Sequence, residues 1–212
     1  MSRTRVQSKL SLFLTATLGL YLLGCVTPSN SFDITDHRDP FQDRQYHENF
    51  DEAYYDLDSE GNVQIVLRRT RPMGNDPKEP LTQVIHLKTF WRPIPGRTVA
   101  ERTQINGFVS YLIVGGGVGA TFEGAGSVFM HQNKKGSVLT GTMEYAVLKP
   151  KRRLAADNDI FAQAELKGHF RARRDARRVV SIVNDLNRLF GPLPPYSPPE
   201  RDVAASTKES GR

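Results

Sequence analysis

The chain predicts a mainly β protein: an antiparallel β-sandwich or partly open barrel of about six strands, with one C-terminal amphipathic helix packed on a face or end. Three observations carry this. Apolar and polar side chains alternate with a period of two between Asn62 and Arg174, the period of a half-buried strand. The alternating runs are rich in β-branched and aromatic residues and are broken by Gly, Pro, Asn and Asp, which mark turns. After Asp175 the period changes to that of a helix, with Val179, Ile182, Val183, Leu186 and Phe190 on one face.

The first strand is expected over 63–70, and the proline-rich stretch 71–80 as a loop or edge connection. The second covers 82–92, where Val84, His86, Lys88 and Phe90 oppose Ile85, Leu87, Thr89 and Trp91, and it stops at Pro93. A third strand at 103–114 sets Ile105, Val109, Tyr111 and Ile113 on one side, and the glycines that follow it supply a turn. The fourth covers 118–131. Asn133 and Gly136 bracket a hairpin loop, because Asn and Gly adopt positive φ at little cost. The fifth, 137–148, and sixth, 161–173, are joined by a basic loop at 149–153, and short connections make such neighbours antiparallel. Asp175 caps the helix, and Gly191 with Pro192 ends it.

The N-terminus has a different character. Arg3, Arg5 and Lys9 precede an apolar stretch at 10–23, the arrangement of an export signal. That stretch is short for a membrane-spanning helix, which needs roughly 20 residues. It ends in Leu22, Leu23, Gly24 and Cys25, which resembles the lipobox of bacterial lipoproteins. The resemblance covers about the first 25 residues. It implies that Leu22, Leu23 and Gly24 are read by the lipoprotein signal peptidase, that cleavage falls before Cys25, and that the Cys25 thiol carries diacylglycerol. Two or three acyl chains, at about 0.8 kcal/mol per buried methylene, make a stable anchor. Val26 stands where an aspartate would favour the inner membrane of a Gram-negative cell, so the resemblance implies an outer-membrane lipoprotein there.

The expected organisation is a cleaved signal at 1–24, an acidic tether at 25–45, an all-β domain with its helix at 46–191, and a disordered proline-rich tail at 192–212. Removing the signal takes the formal charge from +6 to +3. Ten acids against Arg38 and Arg44 leave residues 31–60 at minus eight. Such asymmetry means either a solvated spacer or an acidic segment folded back on a basic face; the tether is the expectation up to Gln45, with Tyr46, Phe50, Tyr54 and Tyr55 docking beyond it.

Chemistry is sparse. Cys25 is the single cysteine, which removes disulfides, cysteine metal sites and a cysteine nucleophile from the mature domain. The glycine-rich run 115–126 has no helix after it and no Gly-Lys-Ser/Thr, so it is strand and turn rather than a phosphate loop. His37, His47, His86, His131 and His169 show no metal-ligand spacing, and 157–159 reads as turn chemistry. No local catalytic motif is present, and Glu123, Glu144 and Glu165 read as solvent-facing. No cofactor, metal or catalytic residue is expected.

Three basic clusters are the candidate contacts for an anionic partner: Arg68, Arg69 and Arg71; Lys149, Lys151, Arg152 and Arg153; and Arg171, Arg173 and Arg174, continued by Arg177 and Arg178. Export argues against nucleic acid and for acidic envelope glycan, lipid headgroups or an envelope protein. The leading expectation is a lipid-anchored, non-enzymatic structural or binding module of the cell envelope. The alternatives are a lipid or small-ligand carrier, or an enzyme whose pocket on the sheet gathers His86, His131, His169, Tyr111 or Trp91.

Overall fold

The computed structural model describes residues 30–39, 41–73, 76–90, 96–98, 105–115, 118–153 and 160–191. The expected signal and lipobox, Trp91, the 157–159 triplet and the proline-rich tail lie outside them. Among these residues ten strands and one helix follow in order: β1 (Ser31–Asp39), β2 (Gln42–Asn49), β3 (Glu52–Leu57), β4 (Val63–Met73), β5 (Asp76–Thr89), β6 (Gly96–Thr98), β7 (Gly107–Gly115), β8 (Val118–Gln132), β9 (Val138–Arg153), β10 (Ala164–Arg174) and α1 (Ala176–Phe190).

The sheet closes on itself. Seven strands form the ring β3-β4-β5-β7-β8-β9-β10, with β10 meeting β3. Alternating directions cannot close a ring of seven, so one contact has to be parallel. It is the shortest one, with Tyr54 opposite Arg173 and Tyr55 opposite Arg174. The remainder of that edge of β10, from Ala164 to His169, is taken by β1, and β2 pairs outside β1. The fold is thus a barrel rather than a sandwich, with an appended hairpin.

The alternation in the sequence sorts each strand. Ile65, Leu67, Ile85, Leu87, Tyr111, Phe122, Leu139 and Met143 point inward and are essentially inaccessible, so side chains fill the interior as in other small barrels. The opposite face of β4, β5 and β7 presents Val66, Val84 and Leu112 to α1, which buries Val179, Ile182, Leu186 and Phe190 on them. Each such side chain contributes about 1.5–3 kcal/mol. Asp175 caps the helix by accepting from the Arg178 amide at 3.0 Å. Gly191, at φ 77°, ends it, and the Arg152 guanidinium donates to the Phe190 carbonyl.

Several expectations need correction. Residues 31–45 are not a tether, because β1 and most of β2 occupy them. Within the acidic segment 31–60, two acids beyond Gln45 do fold against basic groups: Glu48 meets Arg69 at 2.7 Å and Arg71 at 3.7 Å, and Arg68 donates to both Glu52 oxygens at 2.9 Å. Burying Phe32 and Ile34 on β10 offsets the local charge. The basic stretch 149–153 is not a loop, since β9 runs through Arg153 against β8. Within 71–80, β4 extends to Met73 and β5 starts at Asp76. The third strand begins at Gly107, leaving Ile105 exposed.

The glycine-rich run continues as strand. A Cβ at Gly124 would overlap the Val147 carbonyl oxygen, and one at Gly126 the Tyr145 carbonyl oxygen. These glycines let β9 approach β8 closely where the register shifts between Ser127 and Val128. Among the described residues no helix is long and apolar enough to cross a membrane.

Candidate functional site

A concavity of about 460 Å³ opens on the outer face of β8, β9 and β10. Its shape follows from residue size and register. On β9 the outward positions are the short Thr140 and Thr142. Thr140 lies between His131 on β8 and Arg171 on β10; Thr142 lies between Phe129 and His169. Long side chains on both neighbours thus wall a trough over short ones, and Met130, Gly141 and Phe170 complete its floor. Gly141 is required there, because a Cβ would overlap the Phe170 ring. The Thr140 hydroxyl donates to the His131 carbonyl at 3.3 Å, fixing one wall. No carboxylate lies among the described lining residues, so the site presents a guanidinium, two imidazoles, hydroxyls and an aromatic ring.

A second concavity of about 220 Å³ lies at one end of the barrel, beside β2. Tyr46, Phe161, Ile113 and Leu81 line it with Glu48, Arg71, Gln83 and Tyr111. Gln83 Nε2 donates to the Tyr111 hydroxyl at 2.9 Å. Burial, reinforced by the Glu48 charge, holds the Tyr111 proton far more tightly than usual.

The three basic clusters have different fates. Arg68, Arg69 and Arg71 are engaged by Glu52 and Glu48. In the second, Arg152 caps α1, and Lys149 sits opposite Glu123 in the register. Lys149, Lys151 and Arg153 are exposed. Burial raises the Glu123 pKa, while the charges of Lys151 and Arg152 oppose that. In the third, Arg173 and Arg178 lie over the Tyr54 ring at 5.9 and 6.0 Å, and Arg174 approaches Asp56 at 3.6 Å. Arg171 lines the trough.

The described residues among those considered for an enzyme do not gather in one pocket. His131 and His169 share the trough, Tyr111 lies in the interior, and His86 is on the outer face of β5 between Val66 and Ser110. Glu123 continues that row beyond Ser110. A nucleophilic triad needs the imidazole between the hydroxyl and the carboxylate, whereas here the serine is in the middle. His86 Nε2 and Ser110 Oγ have no hydrogen-bond partner among the described residues. Glu123 on β8 and Glu165 on β10 are separated by β9, and Glu165 pairs with Lys167 at 2.6 Å. The described residues contain no cluster of three or more His, Cys, Asp or Glu suited to a metal. The filled interior leaves a lipid carrier without a lumen there.

Sequence reasoning missed Phe129, Thr140, Gly141 and Thr142. Only the pairing of β9 with β8 and β10 makes them neighbours of the histidines. The signal that was present is the outward alternation Lys167, His169, Arg171, Arg173 on β10.

The fold and trough define a closed β-barrel with an open, cationic outer face. No family model, curated protein or solved structure matches the chain.

Proposed function

We propose that this is a lipid-anchored protein of the bacterial cell envelope, acting as a non-enzymatic binding module for an anionic envelope component. The anchor reading rests on the lipobox and Cys25, with Val26 favouring the outer membrane in a Gram-negative cell. The binding reading rests on one observation: an open trough lined by Arg171, His131 and His169, with no carboxylate among its described lining residues. A wall of Phe129 beside the Thr142 hydroxyl suits a ligand carrying both carbon framework and negative charge.

The test is a binding titration of the full chain in neutral detergent against acidic polysaccharide and anionic lipid. Saturable binding that drops with Arg171→Gln supports the reading. Turnover of the added component, or binding indifferent to Arg171, overturns it.

A further inference from the structure

The geometry points to the trough over β9 as a site for the phosphate of an anionic phospholipid headgroup, on the face of the barrel that lies against the membrane holding Cys25. This rests on the anchor reading above and adds the ligand class and the orientation.

The orientation comes from where the described chain begins. Asn30 is stapled to the edge of the trough. Its Oδ1 accepts from the Arg171 amide at 2.8 Å, its carbonyl accepts from the Phe50 amide at 2.9 Å, and its side-chain amide donates to the Phe50 carbonyl at 3.4 Å. The next residue, Ser31, is opposite His169. Cys25 and Asn30 are five residue steps apart, and such a span reaches at most about 18 Å when fully extended. Acyl chains on Cys25 therefore hold Asn30 within that distance of the headgroup layer, with Arg171 and His169 on the strand beside it. A barrel face tied so closely to its own anchor meets the membrane surface before any distant component does.

The ligand class comes from the lining. Arg171 offers a fork of donors matched to phosphate oxygens. The imidazoles of His131 and His169 flank it, and the Thr142 hydroxyl lies between the walls. Phe129, half-buried on the outer face, gives apolar surface of the kind that glycerol and the first methylenes would cover. Around this, Lys134 and Lys135 are exposed in the turn between β8 and β9, and they add positive charge beside Arg171 at that end of the trough.

The test uses the full chain, purified with its anchor in dodecyl maltoside micelles. Phosphatidylglycerol, phosphatidylcholine of the same chain length, and inorganic phosphate are added separately while the imidazole NMR signals are followed; the mass of the purified chain reports the lipid on Cys25. Phosphatidylglycerol is expected to shift the His131 and His169 signals saturably and leave that of His86 in place. Arg171→Gln, which keeps the main-chain bond to Asn30, should raise the lipid needed at least fivefold, and His169→Gln should act in the same direction. Lys149→Gln, far along β9, should leave it unchanged. Equal shifts with phosphatidylcholine, saturation by inorganic phosphate alone, no shift at all, or equal weakening by Lys149→Gln overturns the headgroup site and leaves the anchor standing. A mass without lipid on Cys25 overturns the anchor, and the membrane-facing orientation with it.

Discussion

Glu48 of β2 and Arg69 of β4 meet at 2.7 Å, although their strands are not neighbours in the sheet. The Glu48 side chain is 10% exposed and also faces Arg71 at 3.7 Å, so one carboxylate balances two guanidiniums at the end of the barrel. Breaking a fully buried pair costs about 3–5 kcal/mol. Arg69 is 25% exposed, so Glu48→Gln should cost less, about 2 kcal/mol, read from urea unfolding. A loss below about 0.5 kcal/mol would show the contact to be a surface pair of no structural weight.

The His86 imidazole sets an acid limb on stability. Burial, with the Lys88 charge adding to it, lowers its pKa from 6.5 to about 4. An unfolded chain takes up this proton near pH 6.5, whereas the folded chain resists it until about 4. The contribution is therefore complete above about pH 6.5 and declines as pH falls toward about 4, by up to ~3 kcal/mol. Glu123, raised by burial, works in the opposite sense over its own range, so the measurement is a difference. His86→Leu should flatten the stability curve between pH 6.5 and 4.5 relative to wild type. Parallel curves would refute it.

Two glycines should differ sharply in tolerance. Gly136 has φ 63° and only the end of the Gln132 side chain near its missing Cβ, at 3.5 Å, so Gly136→Ala costs about 1 kcal/mol of backbone strain. At Gly124 the obstacle is the Val147 carbonyl oxygen of the neighbouring strand. Gly124→Ala must push β8 and β9 apart, and is expected to lose at least ~3 kcal/mol or to prevent folding. Thermal melts of the two variants give the ranking, and equal melting temperatures would contradict the close approach.

For the proposed anchor, growth with labelled palmitate should mark the wild type and not Cys25→Ser, which should also retain residues 1–24. Label on the serine variant, or normal trimming of it, would remove the lipoprotein reading.

The inner alternation of Ile65, Leu67, Ile85 and Leu87 was legible in the sequence because burial on one face of a strand imposes a period of two whatever the strand pairs with. The helix was legible for a similar reason, since Asp175, the 179–190 face and Gly191 are local signals. β1 and β2 were not. Their charges look solvated until Phe32 and Ile34 are laid on β10 and Glu48 reaches Arg69, contacts that cross more than a hundred residues for β1. The trough was illegible for the same cause: Thr140 and Thr142 mean nothing as a site until β8 and β10 stand on either side of β9.

The sequence by itself determined that the chain is mainly β, roughly where six of the ten described strands and the helix lie, and which side of those strands is apolar. Tertiary structure alone decided that seven strands close into a barrel, that one junction is parallel, that the acidic segment joins the sheet, and that Arg171 shares a concavity with His131 and His169. The physical reason is range. Propensity, capping and hydrophobic period act over a few residues, whereas strand pairing and charge neutralisation join residues far apart in the chain, and their partners are chosen only when the whole sheet closes.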